Sequence, residues 1–156
     1  MKKIEKARIG DVKQIHKLVN SHASKGEMLP RALSELYENI RDFVIIRQND
    51  KVIACASLHI FWDDLGEIRA AAVDSDMQAK GIGSALVKAC VEEARLLGLG
   101  KVFCLTYQPG FFEKCGFHIV DKAELPQKVW GECMRCPKFP DCDEVALVCD
   151  LEAPSR

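Results

Sequence analysis

A glutamine and two glycines, Gln78-x-x-Gly81-x-Gly83, stand between an apolar segment ending at Val73 and a stretch in which Ile82, Ala85, Leu86, Ala89, Cys90 and Leu97 recur at helical spacing. At a helix start such a loop presents successive backbone N–H groups and the positive end of the helix dipole, and its glycines let an anion approach the main chain closely. The chemistry that suits this arrangement is the binding of a pyrophosphate. The loop has neither the Gly-x-Gly-x-x-Gly spacing nor a Gly-Lys-Ser/Thr ending, which argues against dinucleotide and nucleoside-triphosphate sites of those types.

A second group is Cys133-Met-Arg-Cys136 with Cys142, whose spacing could open a thiolate zinc site if Asp141, Asp143 or Cys149 completed the tetrahedron. No histidine lies in that segment, and the reading commits to no metal; redox pairing and ordinary thiols stay open beside zinc at Cys133, Cys136 and Cys142. The other five cysteines, Cys55, Cys90, Cys104, Cys115 and Cys149, sit in apolar segments and read as small buried hydrophobes. His16, His22, His59 and His118 have no neighbouring Ser/Asp constellation and read as structural or exposed. Asp63-Asp64 beside Gly66 reads as a solvated turn.

The elements that must position these residues follow from periodicity. Ile4 to Ile9 predicts a strand; Gly10-Asp11 opens a helix with Asp11 as N-cap, Gln14 in the capping-box position and a stripe of Val12, Ile15, Leu18 and Val19. Ser21 to Gly26 reads as a loop and Ala32 to Ile40 as a short helix. Phe43 to Ile46 and Val52 to Ile60 form a hairpin around Asn49-Asp50, and a strand covers Glu67 to Val73. The helix over Ile82 to Leu97 stops at Gly98 and Gly100; a strand over Val102 to Thr106, a helix over Gly110 to Cys115 and strands over Phe117 to Val120 and Glu144 to Leu151 complete the chain. The order β-α-α-β-β-β-α-β-α-β-β is α/β with a mixed sheet. It is read as a single domain over residues 1–156, with 122–143 a Cys-containing insertion before the last strand.

Composition narrows the class. The 156 residues suffice for one domain, and 22 Lys plus Arg against 23 Asp plus Glu leave a net charge of −1 with no basic tract, so no nucleic-acid partner is expected. No signal-like segment and no run of about 20 apolar residues is visible, so the expectation is a cytoplasmic protein without membrane contact, its thiols reduced.

The loop Gln78, Gly81, Gly83 and the later run Phe111-Phe112-Glu113-Lys114-Cys115-Gly116-Phe117 together resemble the GNAT superfamily of acetyl-CoA-dependent N-acetyltransferases, over about Ile4 to Val120. Within it, Phe43 to Arg47, Ile53 to Leu58, Gly66 to Ala70, Lys101 to Thr106 and Leu125-Pro126 are most similar to the acetyltransferase domain of bacterial N-acetylglutamate synthases. The resemblance implies a central sheet splayed at the acetyl-CoA site, with flanking helices. It implies acetyl-CoA as cosubstrate, held by Ala72, Val73, Gln78, Ala79, Lys80, Gly81, Ile82, Gly83, Ser84 and Phe112. Transfer would be to the α-amine of L-glutamate, a step of arginine biosynthesis. Many of the longer bacterial forms carry an arginine-binding kinase-like domain upstream of the portion matched here.

The same resemblance implies Glu67 as the base, acting through water, and Thr106 as the hydroxyl near the sulfur. Many members carry a tyrosine acid at the second aromatic; Phe112 cannot donate a proton, and Tyr107 is the alternative phenol. The small residues Ala70 to Val73 suit a backbone N–H aimed at the thioester oxygen, with Ala70 beside the acceptor. A dicarboxylate acceptor needs fixed cations, for which Arg31 matches an arginine at a helix entrance, while Lys128, Arg135 and Lys138 are left as options for a second. Two rival readings stay open: an acetyltransferase for another amino acid, amine or protein N-terminus, and a non-catalytic module binding CoA or metal. Homodimer formation is left open as well.

Overall fold

The computed structural model describes residues 3–78, 81–125 and 144–151. Seven strands form one open sheet in the order β1-β2-β3-β4-β5-β7-β6. They are β1 (Ile4–Lys6), β2 (Phe43–Gln48), β3 (Lys51–Trp62), β4 (Leu65–Val73), β5 (Lys101–Thr106), β6 (His118–Val120) and β7 (Val145–Asp150). The helices are α1 (Val12–Ala23), α2 (Leu33–Glu38), α3 (Ile82–Leu97) and α4 (Pro109–Lys114), so the expected order of elements is the observed one. Among the described residues no helix is long and apolar enough to cross a membrane.

Local chemistry explains most of the boundaries. Asn49 and Asp50 adopt φ of 51° and 63°, the two left-handed residues of a tight hairpin whose twist matches that of its strands. Gly98 closes α3 at φ 90°, and the Leu99 N–H turns back to the Ala94 carbonyl. Gly66 lies where a Cβ would come within 2.9 Å of the Leu99 Cδ1 and 3.1 Å of the Leu58 Cδ1, so any side chain there would make both leucines shift.

The sheet has two different faces. Under α3, Ala54, Ala56, Leu58, Ile68, Leu86, Val87, Cys90, Val102, Cys104 and Leu147 make one large core. The opposite face carries two separate apolar clusters. One lies under α1 and α2 around Ile15, Val19, Leu36, Phe43 and Ile45; the other is built on Leu65, Phe103, Ala146 and Val148 and capped by Leu125. Between them runs a polar strip, because Ser57, His59, Glu67 and Arg69 are register partners on that face of β3 and β4.

The start of α1 corrects the expected cap. Asp11 makes no side-chain cap; its carboxylate accepts the Arg8 N–H at 2.9 Å and both arms of the Arg47 guanidinium at 2.8 and 3.1 Å. Gln14 likewise serves the sheet, accepting the Val52 N–H at 2.9 Å. Arg47, hydrogen-bonded to Asp11, holds that carboxyl below its ordinary range against the opposing effect of burial. Asp11→Ala should therefore cost about 2 kcal/mol in urea unfolding near neutral pH, since it removes the two hydrogen bonds of a guanidinium that Glu5 otherwise approaches only to 3.8 Å. A carboxyl with a lowered folded value stabilises above the ordinary carboxylate range and loses that contribution as pH falls through the folded value. The gap between variant and parent should accordingly close on acidification.

Candidate active site

β4 and β5 run parallel, but their pairing covers only Leu65–Glu67 against Lys101–Phe103. β4 continues to Val73 and β5 to Thr106, and no ladder joins these remaining parts. The C-terminal ends of two parallel strands thus diverge into a slot whose β4 wall offers main-chain groups that β5 does not use. In open α/β sheets, a crevice outside the strand ends is where ligands bind.

The β4 wall is itself irregular. Cys55 faces Ala72 and Ser57 faces Arg69, so two steps along β3 are matched by three along β4. The extra residue falls at Ala70, whose φ is 52°, a left-handed conformation that costs a non-glycine residue on the order of 1–2 kcal/mol. Two side chains of β3 hold the bulge: Ser57 Oγ donates to the Arg69 carbonyl at 3.0 Å and Cys55 Sγ to the Ala70 carbonyl at 3.3 Å. The bulge shifts the alternation, so that Ala70 and Ala72 pack under α1 on the face of Glu67 and Arg69, while Ala71 and Val73 pack under α3.

At the mouth of the slot, Asp74 turns the chain out of β4 by accepting the Asp76 N–H at 3.0 Å, and the Gln78 amide donates to the Val73 carbonyl at 3.2 Å. Gly81 precedes α3 at φ 76°. Gly83 sits where a Cβ would lie 3.2 Å from Phe111 and 3.3 Å from Val73, so the first turn of α3 is pressed between the end of β4 and α4. Ile82 is buried there, and Ser84 Oγ lies 3.9 Å from Cys115 Sγ. The N–H groups of this turn have no intrahelical acceptor, as at any helix start, and the turn lies beside the end of β4. Ala79 and Lys80 lie outside the described residues.

Across the slot, Thr106 Oγ1 accepts the Gln108 N–H at 2.9 Å in the turn that leads to α4, with Tyr107 half-buried beside it. Phe112 is buried in edge-to-face contact with Phe111 and Phe117, and Phe111 is the ring that reaches Gly83.

The polar strip opens beside this slot into a narrow, shallow cleft whose lining includes Arg31, Asp42, Ser57, His59, Arg69 and Ala70. Arg31 is fixed by its backbone: Asn20 of α1 accepts its N–H and donates to its carbonyl, both at 3.1 Å, and its guanidinium meets Glu35 at 2.8 Å. Arg69, 9% exposed, bonds Glu67 at 2.5 Å and lies 5.1 Å over the Phe61 ring. His59 pairs with Asp42 at 3.0 Å. Ala70 borders the cleft from the bulged strand that walls the slot, so a group in one can meet a group in the other there.

Arg69, Ser57 and the His59–Asp42 pair escaped the reading of the sequence. Glu67-x-Arg69 was the available signal, since period 2 in a strand sets both side chains on one face. Cys55 and Cys90 are pushed by burial up to about 12, and Cys104 also upward by burial, with Glu67 and Glu144 adding to the shift; none of the three is a thiolate nucleophile at neutral pH. Cys115 and Cys149 are only half-buried. Among the described residues no His, Cys, Asp and Glu side chains gather as a metal set; Cys133, Cys136, Cys142, Lys128, Arg135 and Lys138 lie outside them.

Residues 12–117 match the Acetyltransferase (GNAT) family. An uncharacterised N-acetyltransferase of Chlorobaculum tepidum is 36% identical over 145 residues, covering 93% of this chain and 94% of the relative. An amino-acid acetyltransferase of Mycobacterium tuberculosis is 38% identical over 135 residues, 85% of this chain and 77% of its own length. Among solved structures, N-acetylglutamate synthase from Neisseria gonorrhoeae, complexed with coenzyme A and N-acetyl-glutamate, superposes with a TM-score of 0.88 at 27% identity. That match takes in 97% of this chain but only 35% of the longer synthase. By fold, motif and relatedness, the chain belongs to the GNAT family of acetyltransferases.

Proposed function

We propose that the protein transfers the acetyl group of acetyl-CoA to the α-amine of L-glutamate. The observation that carries this reading is the meeting at Ala70 of a slot open to main-chain hydrogen bonding with a cleft holding two guanidinium groups, Arg31 and Arg69. The relatedness to an amino-acid acetyltransferase, and the likeness to a synthase complexed with coenzyme A and N-acetyl-glutamate, support it.

In this reading the first turn of α3, with Gln78 to Ser84, binds the pyrophosphate, while Ala72 and Val73 hold the pantetheine arm along the β4 wall. Main-chain N–H groups of the bulge face the oxygen that gains charge, and their fixed direction avoids the cost of reorienting solvent. Arg31 and Arg69 orient the acceptor's carboxylates. Glu67 takes the ammonium proton through water. The N–C bond then forms as the C–S bond breaks, and a proton from Thr106 or Tyr107 neutralises the departing thiolate. Phe112 packs the wall and does no proton chemistry.

One feature favours a second acceptor class, an amino acid with an uncharged side chain: Arg31 and Arg69 each already face a carboxylate of the protein, Glu35 and Glu67. Release of CoA across a panel of amino acids separates the two. Turnover highest with glutamate is expected; turnover with a neutral amino acid and none with glutamate would leave the acetyltransferase and replace its substrate.

With the preferred acceptor, Arg31→Ala should raise KM for the amino acid roughly tenfold to a hundredfold, the loss of one charge-assisted hydrogen bond, with little change in the KM for acetyl-CoA. Glu67→Gln should lower kcat by about a hundredfold or more and remove the acidic limb of the pH–rate profile; unchanged kcat would dismiss Glu67 as the base.

A further inference from the structure

The inward stripe of α1 runs Val12, Ile15, Leu18 and Val19, and its next position is His22, which is 4% exposed. A histidine in place of an aliphatic residue there needs partners for both ring nitrogens. Nε2 lies 2.7 Å from the carbonyl of Val73, and Nδ1 lies 2.7 Å from Oε2 of Glu27. A carbonyl can only accept, so Nε2 is the donor to Val73, and Glu27 braces the ring at Nδ1. The turn after α1 supports this arrangement, because the N–H groups of Lys25 and Glu27 both return to the His22 carbonyl at 3.1 Å.

The anchored atom belongs to the last residue of β4. Its carbonyl also accepts the Gln78 amide, and its side chain bounds Gly83 at the start of α3. We propose that His22 is a positioning residue for the cofactor slot: braced by Glu27 at Nδ1, its ring holds the Val73 carbonyl through Nε2 and with it the β4 wall against which CoA binds. This rests on the reading that CoA occupies the slot between β4 and β5.

The charged groups around the ring are few. Glu27 faces it from the turn after α1. Asp74, next along from Val73, is held below its ordinary range first by the Asp76 N–H and then by Lys51, whose ammonium is 3.1 Å away, with His22 adding to the effect. Lys25 reaches Ser75 Oγ at 3.2 Å from the same turn.

The test is the dissociation constant for CoA, measured calorimetrically on the full chain, beside the KM for the amino acid. His22→Ala should weaken CoA about threefold to tenfold and leave the KM for the amino acid unchanged, and His22→Gln, whose amide can still donate to the Val73 carbonyl, should recover most of the affinity. Parent-like CoA affinity of His22→Ala overturns the proposal, as does His22→Gln binding no better than His22→Ala. If the parent bound no CoA, the slot reading itself would fall, which is a different result. Should His22→Ala not fold, Glu27→Ala decides, since Glu27 lies in a partly exposed turn: losing the brace at Nδ1 should weaken CoA about twofold to threefold, and unchanged affinity counts against the proposal.

Discussion

Two parallel strands that stop pairing while both continue create a problem that the rest of the molecule is arranged around. Past Glu67, β4 has hydrogen-bonding groups on its β5 side with no ladder to join, and unpaired main chain is costly unless water or a ligand meets it. The strand is held in place from the other sides instead. β3 supplies the ladder and the Ser57 and Cys55 side-chain bonds, α3 covers one face with Leu86 and Val87, and α1 covers the other with Ile15 and Val19. A gap of this kind stays open because its walls are fastened independently. The left-handed Ala70 is the local sign that this stretch of β4 follows its surroundings in preference to its own propensity.

Much of this was legible in the sequence wherever the cause was local. Asn49-Asp50 announced a tight hairpin, Gly98 an end to α3, and the stripe of Val12, Ile15, Leu18 and Val19 a helix lying on a sheet. Reading failed where the deciding partner was distant along the chain. Asp11 looked like a helix cap because nothing nearby reveals that Arg47 takes its carboxylate. Nothing at Ala70 announces a bulge, since an alanine among alanines is unremarkable in a strand and the extra residue is defined only by register against β3. The paired aromatics were found, but which ring packs the core and which meets the glycine depends on the direction of α4.

The polar strip between the two apolar clusters shows how charge is kept on a sheet face without isolation. Arg69 is buried against Phe61 and neutralised by Glu67, His59 is paired to Asp42, and Arg31 to Glu35. Charges arranged in pairs are tolerated on a half-covered sheet face where single ones are not. The buried thiols stay neutral: raised by burial, Cys90 of α3 fills the core as an apolar side chain, and Cys55 keeps the proton it donates to the Ala70 carbonyl.

α1 is gripped at both ends. Asp11 and Gln14 bind its start to β2 and β3, while Asn20 and His22 bind its end to the Arg31 backbone and to the tip of β4. A rod so fastened cannot slide along the sheet to enlarge or shrink the space beneath it. Divergence of this scaffold toward new acceptors therefore has to proceed by exchanging side chains around a fixed frame, and insertions are confined to the segments that α1 does not touch.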